Sequence, residues 1–357
     1  MGDYEILDLS SSQKWNKYLR SLPIDQQDIY FTPEYYQLYE ELGDGLARCF
    51  VYEDGEDIAL YPFLLNSVNK LGYNLVNQYY DIQGAYGHNG IIATSKSIHF
   101  LSDLLSTFLK YCKDNCIVAE FIRFNPIIKN HIYSNYITPV DALNSVIINL
   151  EPSIDSIWNN SLEGRARTAI NKANRLSLEF VVILGDDISV KDIAEFRTIY
   201  LSTMKRNDAD DFYFFTEEYF VQLIRKISEN LILCFAKKDG IAISTEIDLF
   251  KNENAYAFLG GTLLKYNEFN PNSFLRYELI KALKEYGVKK YSIGGGHTRN
   301  DSIYKYKKSF NKNSNYKFYI GKKIHNLSVY NNIVSQWEAK YPEKIEKYKN
   351  FLLKYRY

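Results

Sequence analysis

The chain has 357 residues, of which 46% are hydrophobic and 24% are charged, and its 43 basic and 43 acidic side chains give a formal net charge of zero. This composition is typical of a soluble globular protein, and the length is sufficient for two domains. The neutral balance argues against nucleic-acid binding over the whole surface, although it leaves room for a local basic groove. No stretch reaches the ~18 apolar residues that a membrane-spanning helix requires.

The cysteine and histidine positions indicate neither disulfides nor metal ligands. The four cysteines lie inside apolar runs and form no CxxC pair, which favours buried free thiols in a reducing cytosol. The five histidines have no spacing that is typical of a metal site. The polar N-terminal stretch lacks the apolar core of a secretion signal. We therefore expect a cytoplasmic protein without a metal.

The first half of the chain predicts one α/β unit from its apolar spacing and turn residues. In chain order, the elements are a helix at 33–42, a hairpin at 48–65 that turns at Asp54-Gly55, a strand at 73–79, a glycine-bearing loop at 84–90, a helix near 101–112 and a strand at 116–124. Apolar residues recur at helical spacing in the second helix, so that one face is expected in the core: Leu101, Leu104, Leu105, Phe108 and Cys112.

The second half repeats this order more clearly. In chain order, the elements are a helix near 190–200, a helix that Thr216 caps, strands at 231–236, 241–250 and 255–260, a helix near 271–286 and a strand at 288–293. Asp239-Gly240 marks a hairpin turn, and Gly287 is a typical residue after the end of a helix. The order helix, helix, three antiparallel strands, helix and strand predicts one parallel strand pair in an α+β sandwich.

Two copies of this unit give the predicted fold class, an α/β sandwich of the α+β type with mixed, mostly antiparallel sheets. We predict a first domain at 1–150, a second domain at 151–325 and a helical tail at 326–357. The tail breaks at Pro342 and carries an apolar stripe opposite its lysines. It is expected to pack across the back of a domain, and contact with a membrane surface is the alternative.

The segment 293–310 is the strongest indication of a ligand site. A short apolar strand runs directly into Gly294, Gly295 and Gly296. Three consecutive glycines weaken a fold unless the backbone adopts a positive φ or closely approaches another group. Lys307 follows, where it can meet negative charge that develops on a ligand. The alternative is a sharp turn at a sheet edge with a solvated lysine.

Several stretches resemble the Fem-type aminoacyltransferases, which are built from two domains of the GNAT acyltransferase type. Residues 161–173 are similar to the family's arginine- and lysine-rich helix at the start of its second domain. Further similar patterns are Tyr200-x-x-Thr203-Met204-x-Arg206, Tyr256-x-Phe258-x-Gly260, the three glycines with Tyr306-Lys307 and, in the first domain, residues 86–88 and 120–126. The resemblance spans roughly residues 25–320 and implies two GNAT-like domains.

Two departures affect the donor that the resemblance implies. Residues 180–215 are too few for the coiled-coil arm with which some Fem enzymes contact transfer RNA, so the chain is closer to shorter relatives, including GNAT-like proteins of surface-polysaccharide synthesis. The acyl-CoA pyrophosphate loop that is usual in GNAT enzymes is absent after residue 260. The donor, acyl-CoA or aminoacyl-tRNA, therefore stays open, and backbone amides near Asn272 and Ser273 could hold a phosphate.

The resemblance also implies roles for single residues. Lys307 is expected to stabilise the oxyanion or the departing oxygen, and Tyr306 to pack against substrate, with a place in the core as the alternative. Arg206 and Tyr213 are candidates for binding a phosphate or carboxylate of the acceptor. The expected substrate-binding set is completed by Tyr86, Tyr256, Gly294, Gly295, Gly296 and His297.

For removal of the amine proton, the sequence offers Asp301 and His297 beside the glycines and Glu246 in the middle of an apolar strand. A buried glutamate has a raised pKa and can act as a base, whereas an outward glutamate on a strand has no such property. Proton transfer that is assisted by the substrate, without a protein base, is a further alternative.

Together these observations predict an N-acyltransferase. The expected acceptor is the amine of a nucleotide- or lipid-linked cell-surface precursor, either an amino sugar or a muropeptide. One alternative is an aminoacyl-tRNA-dependent peptidyltransferase of the peptidoglycan-bridge type, and another is a non-catalytic binding protein of a surface-glycan pathway. The partners would be the nucleotide sugar or muropeptide precursor, transfer RNA if it is the donor, and a membrane in peripheral contact. Nothing in the sequence indicates an oligomeric state.

Overall fold

The computed structural model describes residues 2–357. Its strands are β1 (Asp3–Leu7), β2 (Leu46–Asp54), β3 (Asp57–Ser67), β4 (Tyr80–Gln83), β5 (Ile92–Ala93), β6 (Ile117–Arg123), β7 (Val140–Asn149), β8 (Glu179–Leu184), β9 (Leu231–Lys238), β10 (Ile241–Lys251), β11 (Asn254–Thr262), β12 (Lys290–Gly294) and β13 (Tyr316–Ile324). Its helices are α1 (Ser12–Ser21), α2 (Pro33–Glu41), α3 (Ile98–Asp114), α4 (Ile154–Ser156), α5 (Gly164–Arg175), α6 (Val190–Arg206), α7 (Glu217–Ile227), α8 (Pro271–Glu285), α9 (Ser302–Lys308), α10 (Leu327–Lys340) and α11 (Ile345–Tyr348).

The chain divides into two compact units. The first unit extends to Ala142 and also contains Phe318–Tyr357, and the second unit is Leu143–Lys317. Each unit holds helices against a sheet whose strand pairs are mostly antiparallel, so the predicted fold class is confirmed. The predicted domain limits at 150 and 325 stay a prediction.

In the first unit, the strand order is β1-β2-β3-β4-β6-β13. The β4–β6 pair is parallel, and the other neighbours in this order are antiparallel. One face packs against α3, whose predicted apolar residues are all buried, from Leu101 to Cys112. The prediction of a strand at 73–79 is wrong, because these residues make other hydrogen bonds. The Tyr73 hydroxyl donates to the Tyr355 carbonyl, and the Asn69 side chain bonds to the carbonyl of residue 77 and the amide of residue 79.

The tail packs against the first unit. Tyr330, Ile333 and Trp337 of α10 are buried against residues of β6, on the face of the sheet opposite α3. The tail begins beside a contact between His325 Nε2 and Glu120 Oε2 at 3.0 Å. Near its other end, the Arg356 guanidinium lies 2.8 Å from the fully buried Asp81. Two buried carboxylates therefore hold the tail near both of its ends.

The second unit has the strand order β7-β12-β11-β10-β9-β8, in which residues 143–149 of β7 take part. The predicted sequence of elements from α6 to β12 is confirmed, with the Thr216 side chain accepting from the Tyr219 amide at the start of α7. The edge strand β8 had no counterpart among the predicted elements. Val190 stands in the first turn of α6 and is 66% exposed, whereas Ile193, Phe196, Ile199 and Tyr200 of the same helix are buried.

Two irregularities open this second sheet near its centre. The parallel pairing of β11 with β12 is confined to Asn254–Tyr256 and three residues of β12, so residues 257–262 diverge from β12. The register of β10 with β11 also shifts after Ile247, which leaves Phe258 as an additional residue on β11. Bulges of this kind often lie next to active sites, because they redirect the strand.

Candidate functional site

A cavity of about 350 Å³ lies where β11 diverges from β12. Three helices and two strands of the second unit line it, together with Asn267 of the 3-10 turn Leu264–Phe269. The polar and charged residues of the lining are Thr203, Arg206, Ser244, Thr245, Glu246, Thr262, Asn267, Asn272, Arg276, Tyr306 and Lys307, and its apolar part comes mainly from Ala257, Phe258, Leu259, Leu275 and Ile303. A cavity of this size with a few converging polar groups is the usual form of a small-molecule site.

One wall is the C-terminal end of α6. The Thr203 hydroxyl accepts a hydrogen bond from the Thr262 amide at 2.9 Å, and Arg206 Nη1 donates to the Thr262 carbonyl at 2.8 Å. A side chain at Gly261 would contact Thr203 and the backbone of α6, so this glycine allows the helix to approach β11 closely. The close approach places the exposed Arg206 guanidinium at the cavity.

A second wall is the N-terminal half of α8. Asn272 and Arg276 are four residues apart and therefore face the same side of the helix. Arg276 is only 9% exposed, and its Nη2 lies 2.5 Å from Glu246 Oε1 on β10. Its Nη1 donates to the hydroxyl of Tyr291, which in turn donates to Asp248 Oδ1 at 2.8 Å. One buried guanidinium thus connects two buried carboxyl groups.

The two carboxyl groups differ in their surroundings. Burial raises the pKa of Glu246, and the adjacent Arg276 partly offsets that effect. Burial and the nearby Glu246 charge raise the pKa of Asp248 well above its ordinary value, against the opposing effect of Arg276. Asp248 is fully buried, and its Oδ2 has no hydrogen-bond partner. One guanidinium cannot neutralise two carboxylates, and Arg276 pairs directly with Glu246, so the protonated form is favoured more at Asp248 than at Glu246.

Lys307 lies on the last turn of α9, with Ile303 and Tyr306 on the same helix face. Burial lowers the pKa of Lys307 to about 8, and the nearby Arg276 charge acts in the same direction, while Glu246 opposes it. The neighbouring lysines point elsewhere: Lys305 is exposed, and Lys308 Nζ donates to the Ser314 carbonyl. Of the three, Lys307 is the lysine that lines the cavity.

The charges around the cavity favour an anionic ligand. Glu246 pairs with Arg276, so that these two charges largely compensate each other. Arg206 and Lys307 remain, and both are cations. The arrangement is suited to a ligand with a phosphate or carboxylate and to a carbonyl oxygen that gains negative charge during a reaction.

Comparisons with known proteins agree with this geometry. The family model for the acetyltransferase (GNAT) domain matches residues 161–308. That range contains every residue that lines the cavity. Residues 161–308 are therefore similar to the GNAT acetyltransferase domain. The lipid II:glycine glycyltransferase of Staphylococcus haemolyticus is 33% identical over 57 residues, which are 16% of this chain and 14% of that protein. The chain therefore matches only a small part of that curated relative.

Solved structures show the same fold over nearly the whole chain. A crystal structure of FemX superposes with a TM-score of 0.65 at 15% identity and covers 92% of this chain and 99% of FemX. A tandem GNAT protein from the clavulanic acid biosynthesis pathway gives a TM-score of 0.53 at 5% identity, over 91% of this chain and 99% of that one. The predicted resemblance to the Fem-type, GNAT-like family is confirmed, and with it the predicted class of enzyme, a transferase.

The GNAT domain brings four of the predicted site residues to one cavity: Arg206, Glu246, Tyr306 and Lys307. Glu246, for which an outward position was the alternative, is 7% exposed and points inward. Tyr306 both lines the cavity and packs on Phe310 of the core, with ring centroids 5.4 Å apart. Their roles in a reaction stay predictions.

Other predicted residues lie outside the cavity lining. Asp301 caps α9, since its carboxylate accepts hydrogen bonds from the amides of His297, Thr298 and Tyr304. These bonds lower the pKa of Asp301 and make it a weaker base. The His297 side chain is exposed, and Tyr256 is buried within β11. The Tyr213 carbonyl accepts a hydrogen bond from the Tyr200 hydroxyl, and Tyr86 belongs to the first unit.

The three glycines allow the backbone near Lys307 to pack closely against its neighbours. Gly294 has a φ of +71°, and a Cβ placed there would lie 3.4 Å from Lys307 Nζ. A Cβ at Gly295 would overlap the Asn144 carbonyl of β7, and one at Gly296 would overlap the Asp301 carboxylate. The glycines are therefore required for tight packing beneath α9, whereas their predicted contact with substrate stays a prediction.

Sequence reasoning missed Arg276, Asp248 and Tyr291. Each carries a polar group inside an apolar stretch of a helix or strand, which is the signal that could have singled them out. Spacing along the chain does not show that residues on α8, β10 and β12 converge. Among residues 2–357, no helix is long and apolar enough to cross a membrane. The same residues contain no group of three or more His, Cys, Asp or Glu side chains that could hold a metal ion.

Proposed function

We propose that the second unit transfers an acyl or aminoacyl group to the amine of an anionic acceptor. The observation that carries this proposal is the convergence of Lys307, Glu246 and Arg206 on one cavity within the GNAT domain. A cation for the oxyanion, a carboxylate for the proton and a second cation for the acceptor are the groups that N-acyl transfer requires.

The reaction begins when the uncharged amine nitrogen attacks the carbonyl carbon of the donor, and a C–N bond forms. The carbonyl oxygen gains negative charge, which the Lys307 ammonium stabilises. Glu246 receives the proton that the nitrogen loses, because its raised pKa makes it a stronger base than an exposed glutamate. The bond to the leaving group then breaks, and that group takes the proton from Glu246, which restores the carboxylate.

The donor that we favour is acyl-CoA. Support comes from the GNAT domain and from the likeness of the fold to a tandem GNAT protein. The leaving group is then a thiol, and the C–S bond breaks. With an aminoacyl-tRNA donor, the same steps break a C–O ester bond and protonate a ribose hydroxyl. The relative's name, a glycyltransferase that acts on lipid II, is the reason to keep this second donor.

The acceptor that we favour is a lipid- or nucleotide-linked precursor of the cell surface, with an amine on a muropeptide or an amino sugar. Such a precursor carries phosphates, and the exposed Arg206 guanidinium at the cavity is suited to bind one of them. The lipid II relative supports the muropeptide within this class.

A thermal-shift screen tests the proposal with acetyl-CoA, CoA, UDP- and dTDP-linked amino sugars and a UDP-linked muropeptide. A ligand that binds only the folded chain raises the Tm. We expect a shift with one acceptor, reduced in Arg206→Met, and transfer of the acetyl group by the wild type. A shift with the acceptor but none with CoA would assign aminoacyl-tRNA as the donor.

Two variants separate catalysis from binding. Lys307→Met removes the cation from the cavity, and we expect it to lower the transfer rate by about 100-fold or more. Lys305→Met removes an exposed lysine two residues away and should leave the rate unchanged. If acceptors bind but neither donor supports transfer, the proposed reaction is wrong.

A further inference from the structure

Three aromatic rings gather on the surface of the first unit near the end of the tail. The rings of Tyr348, Phe351 and Tyr357 lie with centroids 4.6 to 5.5 Å apart. Phe351 and Tyr357 are still 47% and 48% exposed. A contact among half-exposed rings leaves much of their apolar area in water, and a clustered apolar surface of this kind often marks a place of interaction.

The segment that carries these rings is firmly held. The carbonyl of Leu352 accepts a hydrogen bond from the Tyr330 hydroxyl at 2.7 Å, and the carbonyl of Tyr355 accepts one from Tyr73 at 2.6 Å. Trp337 Nε1 donates to the carbonyl of Tyr357 at 3.1 Å. Leu353 and Tyr355 are buried between the outward residues, so the fold itself presents Phe351 and Tyr357 to the outside.

The surroundings of the rings are basic. Residues 340–357 contain six basic and two acidic side chains, in a chain whose formal net charge is zero. Lys347 Nζ lies 5.1 Å from the centre of the Tyr348 ring, and Lys322 Nζ donates to the Asn350 carbonyl at 2.6 Å. Arg356 is engaged by Asp81 and Lys349 pairs with Glu346, so four lysines provide the local charge: Lys340, Lys344, Lys347 and Lys354.

We infer that residues 340–357, the aromatic–lysine surface, bind the headgroup region of a membrane that contains anionic phospholipids. The ammonium groups meet lipid phosphates, and the rings enter the boundary between headgroups and acyl chains, where aromatic side chains are favoured. The contact is peripheral. The inference rests on the first unit alone and does not depend on the proposed acyl transfer.

The geometry of the rings favours lipid over nucleic acid as the partner. Single-stranded nucleic acids bind to aromatic faces on which bases stack. Here Tyr348 and Tyr357 stack on each other with an interplanar angle of 13°, and Phe351 meets both at 79° and 74°. One face of each tyrosine is thus covered by the other ring, and Lys347 lies beside the Tyr348 ring, whereas an apolar cluster needs no free ring face to enter a lipid boundary.

Co-sedimentation of the full chain with vesicles tests the inference. The vesicles are phosphatidylcholine alone or an equimolar mixture with phosphatidylglycerol, at low and high salt. We expect binding to the phosphatidylglycerol vesicles and a loss of that binding at high salt, because salt screens the lysines. Phosphatidylcholine vesicles should leave the chain in the supernatant.

Matched variants locate the contact. We expect the double variant Phe351→Ser and Tyr357→Ser to weaken binding by about tenfold or more, and Lys344→Gln with Lys347→Gln to weaken it several-fold. Ile98→Ser, which removes an apolar side chain that is 88% exposed, should bind like the wild type. Since all of these positions are at least partly exposed, unchanged Tm values verify folding.

Three results would overturn the inference. The first is the absence of wild-type binding to phosphatidylglycerol vesicles, and the second is equal binding by the wild type and the Phe351/Tyr357 double variant. The third is retention of transfer RNA, but not of vesicles, on the aromatic–lysine surface.

Discussion

Burial of the Lys307 charge destabilises the folded chain, and the same charge is proposed to stabilise the oxyanion. The pKa of Lys307 falls from 10.5 to about 8, so between these values the unfolded chain binds more protons than the folded one. Stability therefore rises with pH across this window, and the cost is fully present below pH 8. We expect Lys307→Met to raise the free energy of unfolding at pH 7 by on the order of 2 kcal/mol while it lowers the transfer rate by about 100-fold or more. Denaturant titration of Lys307→Met and Lys305→Met measures the difference, which an exposed lysine would not produce.

The same pKa predicts the pH dependence of transfer. The Lys307 ammonium is the form that stabilises an oxyanion, so the rate should fall as the pH rises through about 8. At lower pH the rate should fall again, because burial raises the pKa of Glu246 and the carboxyl group must be ionised to accept a proton. A bell-shaped profile of kcat/KM is expected, and Glu246→Gln should remove the part of its acidic limb that does not come from protonation of the acceptor amine. A rate that is independent of pH between 7 and 9 would contradict the role of Lys307.

At the level of elements, β10, β12 and α8 are held together by the buried contacts of Arg276. The pKa of Asp248 is raised, so the folded chain binds an additional proton above the ordinary pKa of an aspartate, and stability falls as the pH rises. Asparagine has a similar shape to aspartate but does not titrate, so Asp248→Asn removes this dependence of stability on pH. We expect it to be at least as stable as the wild type, with an advantage that grows from pH 5 to pH 8 in thermal unfolding.

Tyr291→Phe is the variant to compare with Asp248→Asn, because the Tyr291 hydroxyl lies between Arg276 and Asp248. It removes the hydroxyl that accepts from Arg276 and donates to Asp248, and therefore leaves two buried polar groups without that partner. A loss of about 1 to 3 kcal/mol is expected. If Tyr291→Phe is as stable as Asp248→Asn, the hydroxyl does not connect the two groups.

The helices and strands could be predicted from the sequence more reliably than the contacts between them. Apolar spacing and turn residues located α6 to β12, because these signals are local. The strand expected at 73–79 failed because Tyr73 bonds to Tyr355, far along the chain. Lys307 and Arg206 could be proposed from residue type and resemblance, whereas Arg276 with its two carboxyl partners depends on contacts between distant strands and a helix.

For the whole molecule, the tail is part of the first unit although the second unit, Leu143–Lys317, separates it in sequence from the rest of the first unit. Arg356→Met would leave the fully buried Asp81 without its cation, and we expect a loss of about 3 kcal/mol or more that grows as the pH rises, because Asp81 is then ionised alone. The exposed pair of Lys14 and Glu5 is the control, since Lys14→Met should cost less than about 1 kcal/mol. Equal losses in the two variants would show that Asp81 does not hold the tail.

The central claim is that Lys307 acts on the reacting carbonyl within the GNAT cavity. The most direct measurement is single-turnover transfer to a UDP-linked muropeptide by the wild type, Lys307→Met and Lys305→Met, with acetyl-CoA or glycyl-tRNA as the donor. We predict that Lys307→Met binds the acceptor with unchanged Kd and loses about 100-fold or more of the transfer rate, while Lys305→Met equals the wild type. Transfer by Lys307→Met at the wild-type rate would contradict the claim.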